Sequence, residues 1–306
     1  MALKLDGRKC ARALLSEIKI QFDQLQLSSN PKLCVVQIGD DPASSSYIKQ
    51  KKKWAEEFKV QFDHQHLSST SSKTQIAECI KKQVESKDID GVLLQLPLDA
   101  SEDLQTAKMT QFFLSLIPPE KDADGLHELN QGRLMARLSH ANKWTSPLPC
   151  TALGICRLLE YYNIDVLSKK LCVVGRSRLV GLPTALLLAH QGATLNLCHR
   201  QTKNIQEHLK EAEIVVVAAG KKHLVKKSDL KSNCVLIDVG IHTNSDPETP
   251  SKLTGDIHPS CHPESLAYSP VPGGVGPMTV ACLIENTFRL SAQKQGKVLP
   301  ELTISA

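Results

Sequence analysis

Aromatic side chains make up only 4% of this 306-residue sequence, which leaves too few ring faces for a base-stacking platform and argues against a single-stranded nucleic-acid binder. Neither sign of charge is in large excess, since 37 lysines and arginines against 32 aspartates and glutamates leave a formal net charge of +5. A DNA binder concentrates its basic residues on one face, so this mild surplus fits an enzyme with anionic ligands better. No apolar run approaches the roughly 20 residues needed to cross a bilayer, and no repeat period or low-complexity tract is visible. The opening stretch, Met1 to Gly7, lacks the pattern of a secretion signal and runs straight into foldable sequence. The expected partners are small molecules, with neither nucleic acid nor membrane among them.

No pair of the ten cysteines has C-x-x-C spacing, so zinc-ribbon and thioredoxin readings have no support and no metal is expected. Several cysteines sit in apolar runs, such as Leu33-Cys34-Val35-Val36 and Leu171-Cys172-Val173-Val174, where a free thiol behaves as a small hydrophobe. That usage fits a reducing, cytoplasmic setting. Hydrophobic residues at 41% and charged residues at 23% are ordinary for a folded protein, and the length suggests roughly two domains of about 150 residues.

The hydrophobic pattern predicts an α/β fold. Helices are expected over 8–26, 43–58, 74–86 and 102–116, with strands at 33–38, 60–66 and 91–95. The stretch 118–150 is rich in proline and glycine and reads as a functional loop region leading to a domain boundary near 145–150. A second series follows: helix 152–162, strand 171–175, helix 182–191, strand 194–198, helix 204–211, strands 214–218 and 234–238, and a last helix from 277. Strands alternating with helices indicate mostly parallel sheets. The tail from Gly296 to Ala306 is expected to be loosely held.

Several constellations could carry chemistry. The buried strand 171–174 ends in Gly175-Arg176-Ser177-Arg178, followed by Gly181 and Pro183 at a helix start. Free amides there attract phosphate, and Arg176 and Arg178 tilt a plain strand-to-helix turn toward an anion. This is not the G-x-G-x-x-G fingerprint. At the end of the next strand, Leu197-Cys198-His199-Arg200 offers no carboxylate for ribose hydroxyls. The basic pair His199 and Arg200 suits a 2′-phosphate, favouring NADP over NAD, or is simply a solvated strand end.

Tyr47 and Lys51 lie i and i+4 on one helix face, where a phenol beside an ammonium can orient a substrate and move a proton. The surrounding run Lys49, Lys51, Lys52 and Lys53 also reads as a solvated face. Gln95 ends a buried strand, either as a ligand contact or as a structurally satisfied amide. In Lys121-Asp122-Ala123-Asp124-Gly125 two carboxylates alternate. They lack the ligand count of a calcium loop and could bind paired N–H donors of a heterocycle or belong to an ordinary loop. Pro270-Val271-Pro272-Gly273-Gly274-Val275-Gly276-Pro277-Met278-Thr279 is stiff and permits close backbone approach, which is unusual for a routine turn.

Together these pieces resemble the bifunctional 5,10-methylenetetrahydrofolate dehydrogenase/5,10-methenyltetrahydrofolate cyclohydrolase family over about residues 3–290, in the single-unit form similar to bacterial versions. The combination is specific: Tyr47-x-x-x-Lys51, Gln95-Leu96-Pro97-Leu98, Pro119 through Gly125, Pro149-Cys150-Thr151, Gly175-Arg176-Ser177-x-x-Val180-Gly181-x-Pro183, and Pro270 through Thr279. The resemblance implies that Lys51, Tyr47, Gln95 and Asp124 are catalytic. It places the tetrahydrofolate derivative against Tyr47, Lys51, Leu94, Gln95, Leu96, Asp124, Pro270, Gly273 and Gly274. It places NADP against Gly175, Arg176, Ser177, His199, Arg200, Ile241, Gly276 and Thr279.

It further implies two α/β domains flanking a cleft, a folate-binding catalytic unit (1–147 plus 281–306) and a Rossmann-like NADP-binding unit (148–280), in a homodimer. The chain departs from many members at Ala152, where they have proline, and at Arg200, where they have serine. The implied chemistry is NADP-dependent oxidation of the methylene bridge, then hydrolysis of the methenyl cation to 10-formyltetrahydrofolate. A different NADP dehydrogenase acting on a small keto or hydroxy acid would explain residues 171–200 but not Tyr47, Lys51, Gln95 and Asp124. A degenerate folate binder would be expected to have lost those residues.

Overall fold

The computed structural model describes residues 2–136, 146–243, 253–300 and 302. The first half runs β1 (Leu3–Lys4), α1 (Gly7–Gln24), β2 (Lys32–Ile38), α2 (Pro42–Glu57), β3 (Gln61–Leu67), α3 (Lys73–Glu85), β4 (Gly91–Leu94), α4 (Ala107–Ser115) and α5 (Glu128–Met135). The second runs α6 (Cys150–Tyr161), β5 (Lys170–Val174), α7 (Gly181–His190), β6 (Thr194–Cys198), α8 (Ile205–Glu211), β7 (Ile214–Val217), β8 (Val235–Asp238), β9 (His242–Thr243), β10 (Leu253–Thr254), β11 (Ala267–Tyr268) and α9 (Val275–Lys294).

Local chemistry sets the ends of these elements. The Asp6 carboxylate accepts from the amides of Arg8 and Lys9 and caps α1. Asp41 caps α2 ahead of Pro42, whose missing N–H costs nothing at a helix start. Ser72 and Gln75 form a reciprocal capping box on α3.

In the first half, β2 lies between β3 and β4 in a parallel sheet. Residues 33–38 of β2 are all buried, the mark of a strand covered on both faces. The second sheet is also parallel, in the order β6-β5-β7-β8-β11-β1. Strand order reverses at β5, with β6 on one side and β7 on the other. The crevice beyond the C-terminal ends of these strands is where such sheets take ligands. Leu3–Lys4, from the start of the chain, completes this second sheet by pairing with β11.

Helix α9 ties the two halves together. It packs mainly against α1 and α6 and is buried along most of its length. Phe288 meets Phe22 of α1 edge to face at 4.9 Å. No helix among the described residues is long and apolar enough to cross a membrane.

Three expectations change. The helix expected from 102 starts at Ala107, because Thr106 caps it through the amide of Met109 and the preceding residues form turns. The stretch 118–150, read as loop, contains α5, whose start His127 caps by accepting from Leu129 N. Within the tail expected to hang loosely, Leu299 and Leu302 are anchored, each 3% exposed with a carbonyl accepting from Arg289 or Arg157, while 301 and 303–306 lie outside the described residues.

These two arginines share Glu285, which is 1% exposed. Its Oε1 accepts from Arg157 Nη2 at 3.2 Å and from Arg289 Nε at 3.0 Å. Burial alone would raise the Glu285 carboxyl, and the two guanidiniums more than reverse this and hold it below the usual carboxylate range. Removing one member leaves buried charge uncompensated. Glu285→Gln is therefore expected to destabilise the fold by about 3 kcal/mol, read as a lower urea midpoint; an unchanged midpoint contradicts a stabilising role for this network.

Candidate active site

Lys51 lies on α2 but, unlike its neighbours in the lysine run, it turns inward. It is 6% exposed, whereas Lys49, Lys52 and Lys53 are exposed. Its Nζ donates to Gln95 Oε1 at 2.7 Å and stands 5.5 Å from the centre of the Tyr47 ring. Gln95 follows β4 directly and is itself fixed: its backbone N–H donates to Val36 O and its Nε2 to Leu96 O. The amide oxygen thus has one orientation, facing the amine.

Of the two alternating carboxylates, Asp122 serves the backbone. It accepts from Leu126 N, His127 N and Asn130 Nδ2, which fixes the turn into α5. Asp124 is left facing the amine. Burial raises its pKa to about 6, with the Lys51 charge and a hydrogen bond from the Cys150 thiol pulling the other way. Burial also lowers the Lys51 pKa, opposed by Asp124 and Cys150. Tyr47 is pushed up to about 12 by burial and by the Asp124 charge. One desolvated amine, one carboxyl poised near neutrality and a protonated phenol therefore share a site, the combination that supports proton transfer close to neutral pH.

Two further residues belong here. Cys150 starts α6 and its thiol also donates to Ala123 O at 3.4 Å. Asn286 of α9 donates through Nδ2 to Ala123 O at 2.9 Å and Leu148 O at 3.0 Å, and contacts the Cys150 sulfur at 3.4 Å. It thereby pins the segment that carries Asp124. Cys150 reads from sequence as one more small hydrophobe; the signal that separates it from the other cysteines is its place in Pro149-Cys150-Thr151. Nothing local in the sequence marks Asn286, whose partners lie more than a hundred residues away.

The second half reaches the same place through Pro270–Thr279. Tyr47 Oη donates to Gly276 O at 3.3 Å, and the Thr279 hydroxyl also bonds the phenol. Thr279 contacts Thr151 at 3.3 Å. Gly274 is buried, while Pro270 and Gly273 are partly exposed, as is Leu96; Leu94 is buried beneath. The structure thus brings together Tyr47, Lys51, Gln95, Asp124, Gly276 and Thr279.

The expected anion loop forms a separate part of the crevice. Gly175 has φ +119°, and a Cβ there would lie 2.2 Å from Ala218 O. A Cβ on Gly181 would lie 1.9 Å from Gly175 O. Glycine at both positions lets the loop fold back on itself and keeps its backbone open to a ligand. Ser177 Oγ accepts from the amides of Val180 and Gly181.

Arg176 is exposed and reaches Gln201 Oε1 at 3.4 Å, which sets it beside the end of β6 with exposed Arg200 and partly buried His199. His199 Nδ1 accepts from Gln201 N, so that ring shapes the turn as well. Ile241, after β8, is 50% exposed. Arg178 does not join this basic group. Its guanidinium bonds Gln131 and Gln111 of the first half instead.

Comparisons with known proteins place the chain in a family. A family model described as tetrahydrofolate dehydrogenase/cyclohydrolase, catalytic domain, matches residues 5–124; one described as tetrahydrofolate dehydrogenase/cyclohydrolase, NAD(P)-binding domain, matches residues 149–295. The bifunctional protein FolD of a Nitratiruptor species is 37% identical over 95% of this chain and 98% of its own length. That of a Prochlorococcus marinus strain is 41% identical over 92% of each. Among solved structures, the Campylobacter jejuni FolD methylenetetrahydrofolate dehydrogenase/cyclohydrolase superposes with a TM-score of 0.85 at 32% identity, over 96% of this chain and 99% of that one. The Trypanosoma brucei enzyme, complexed with NADP cofactor and inhibitor, does so with 0.86 at 30% identity, over 95% of this chain and 98% of that one.

The electrostatics of the cluster are open to direct measurement. In a carboxyl-¹³C NMR titration, Asp124 is expected to titrate near pH 6, and Lys51→Met to move that midpoint higher by removing the stabilising positive charge. An Asp124 midpoint at the ordinary carboxylate value, unmoved in Lys51→Met, contradicts the arrangement.

Proposed function

Because the chain belongs to the tetrahydrofolate dehydrogenase/cyclohydrolase family, we propose that Lys51, Gln95, Tyr47 and Asp124 form a single site at which both of the family's reactions run. The protein is a bifunctional methylenetetrahydrofolate dehydrogenase and methenyltetrahydrofolate cyclohydrolase that uses NADP. The single observation that carries the site assignment is the desolvated Lys51 amine, fixed on Gln95 at 2.7 Å beside Asp124.

When bound, NADP⁺ supplies the hydride acceptor. The loop Gly175-Arg176-Ser177 fits a phosphate-bearing ligand, since Gly175 and Gly181 leave no room for side chains where the backbone folds back. Arg176 and Arg200 offer positive charge where a 2′-phosphate belongs, with the His199 ring beside them; Ile241, Gly276 and Thr279 complete the cofactor contacts. For the hydride step the protein's work is orientation. The Asp124 carboxylate accepts from N–H groups of the pterin and fixes its plane. Leu94, Leu96, Pro270, Gly273 and Gly274 wall the folate pocket.

Hydrolysis needs proton movement. The methenyl product is cationic, and a cation nearby further favours the neutral form of Lys51. The neutral amine accepts a proton of the attacking water and returns it to the ring nitrogen as the carbon–nitrogen bond breaks; the remaining carbinol O–H proton leaves to solvent as the formyl carbonyl forms, so one proton is released overall. Gln95 holds Nζ in line, and Tyr47 stays protonated and donates.

The reading extends to a homodimeric cytoplasmic enzyme whose 10-formyl product serves purine biosynthesis, supported by the family membership. It divides the chain into a folate unit of residues 1–147 plus 281–306 and a cofactor unit of 148–280, although the family model for the NAD(P)-binding domain runs on to residue 295 and Leu3–Lys4 pairs into the second sheet.

Lys51→Met is expected to abolish decay of the methenyl chromophore while cofactor reduction remains measurable; retained hydrolysis removes Lys51 from the mechanism. Arg176→Met is expected to raise KM for NADP⁺ by about 10- to 100-fold, as loss of a charged hydrogen bond to phosphate does, while KM for NAD⁺ changes little. An equal effect on both cofactors separates Arg176 from the 2′-phosphate.

A further inference from the structure

Arg178 follows directly on the anion loop Gly175-Arg176-Ser177, yet its side chain points away from the basic group at the end of β6. Nε donates to Gln131 Oε1 at 2.8 Å, and Gln131 Nε2 returns a bond to the Arg178 carbonyl at 3.1 Å. One Nη donates to Gln111 Oε1, and the other to Leu126 O at 3.4 Å. One guanidinium therefore touches α4, α5 and the turn that leaves Asp124, all in the first half of the chain. Leu179, the next residue, packs onto the apolar cluster of that half that includes Leu94 and Leu126. The guanidinium is only partly exposed and all of its partners are neutral oxygens, so this is directional hydrogen bonding rather than a screened surface ion pair.

We propose that Arg178 is a positioning residue that couples the two ligand sites: a cofactor held on Gly175–Ser177 sets the backbone from which Arg178 reaches, and Arg178 in turn sets the turn that presents Asp124 to the folate. The inference rests on the reading above, in which cofactor and folate occupy these two loops. Arg178 touches neither ligand. It links a loop one residue from Ser177 to a carbonyl two residues from Asp124, so ordering one loop lowers the cost of ordering the other, and the coupling is reciprocal.

The test is calorimetric titration of NADP⁺ into the full-length protein, with and without saturating tetrahydrofolate, which lacks the one-carbon bridge and cannot donate the hydride. In the unaltered protein, tetrahydrofolate is expected to tighten NADP⁺ binding by about fivefold or more. In Arg178→Met the two dissociation constants converge, while NADP⁺ affinity without folate stays within about twofold of the unaltered protein. Arg178→Lys, which keeps the charge but not the fork of donors, recovers only part of the ratio.

Gln131→Leu removes the two bonds that fix the Arg178 side chain and backbone to α5, leaving those to Gln111 and Leu126 O, and is expected to lower the ratio too, so it decides the matter if Arg178→Met fails to fold. A ratio of one in the unaltered protein, or an unchanged ratio in either variant, overturns the proposal. Failure of the underlying reading looks different: NADP⁺ or tetrahydrofolate then fails to bind at all.

Discussion

The structure turns on one buried amine. Lys51 gives up hydration, and the carbonyl oxygen of Gln95 at 2.7 Å replaces only part of it. An ammonium in that setting is destabilised relative to the neutral amine, and the nearby Asp124 charge limits how far the balance shifts. A surface lysine is a poor base at neutral pH because water favours its charged form; burying it between α2 and β4 removes that preference. The three other lysines of the run stay exposed and keep the helix soluble, so the sequence spends one of four on chemistry.

Holding that amine in register requires both halves of the chain. Gln95 is fixed by the parallel sheet through Val36, and Asp124 by Asp122, Cys150 and Asn286. Asn286 comes from α9, which belongs late in the chain yet packs on α1. The Pro270–Gly274 loop leads into that helix, whose first turns place Gly276 and Thr279 against Tyr47. The buried group formed by Glu285, Arg157 and Arg289 secures the same helix and the residues beyond it. The catalytic cluster is therefore supported from behind by contacts between residues more than a hundred positions apart.

Much of this was legible in the sequence because parallel strands buried on both faces read as short apolar runs, and β2, β4, β5, β7 and β8 do so. The i, i+4 spacing of Tyr47 and Lys51 marked one helix face, although the lysine run alone pointed to solvent. What escaped depended on distant partners. The residues around Leu299 and Leu302 look like a free tail until Arg157 and Arg289 take their carbonyls. Helix α5 lies in a stretch dominated by proline and glycine, where its single turn-and-cap signal at His127 is easily lost. The basic pair Arg176 and Arg178 looked alike beside a phosphate-type loop, and only the placement of Gln131 and Gln111 separates their roles. Cys150 is indistinguishable by local hydrophobicity from the buried thiols elsewhere.

The most direct test of the account is a structure of the ternary complex with NADP⁺ and tetrahydrofolate. It should place the nitrogens that flank the one-carbon bridge so that the bridge carbon falls roughly 3–3.5 Å from the nicotinamide ring carbon that accepts hydride, with Lys51 Nζ in reach directly or through one water and Asp124 on the pterin. A folate bound with those nitrogens remote from Lys51, or a nicotinamide turned away from the pterin, contradicts it.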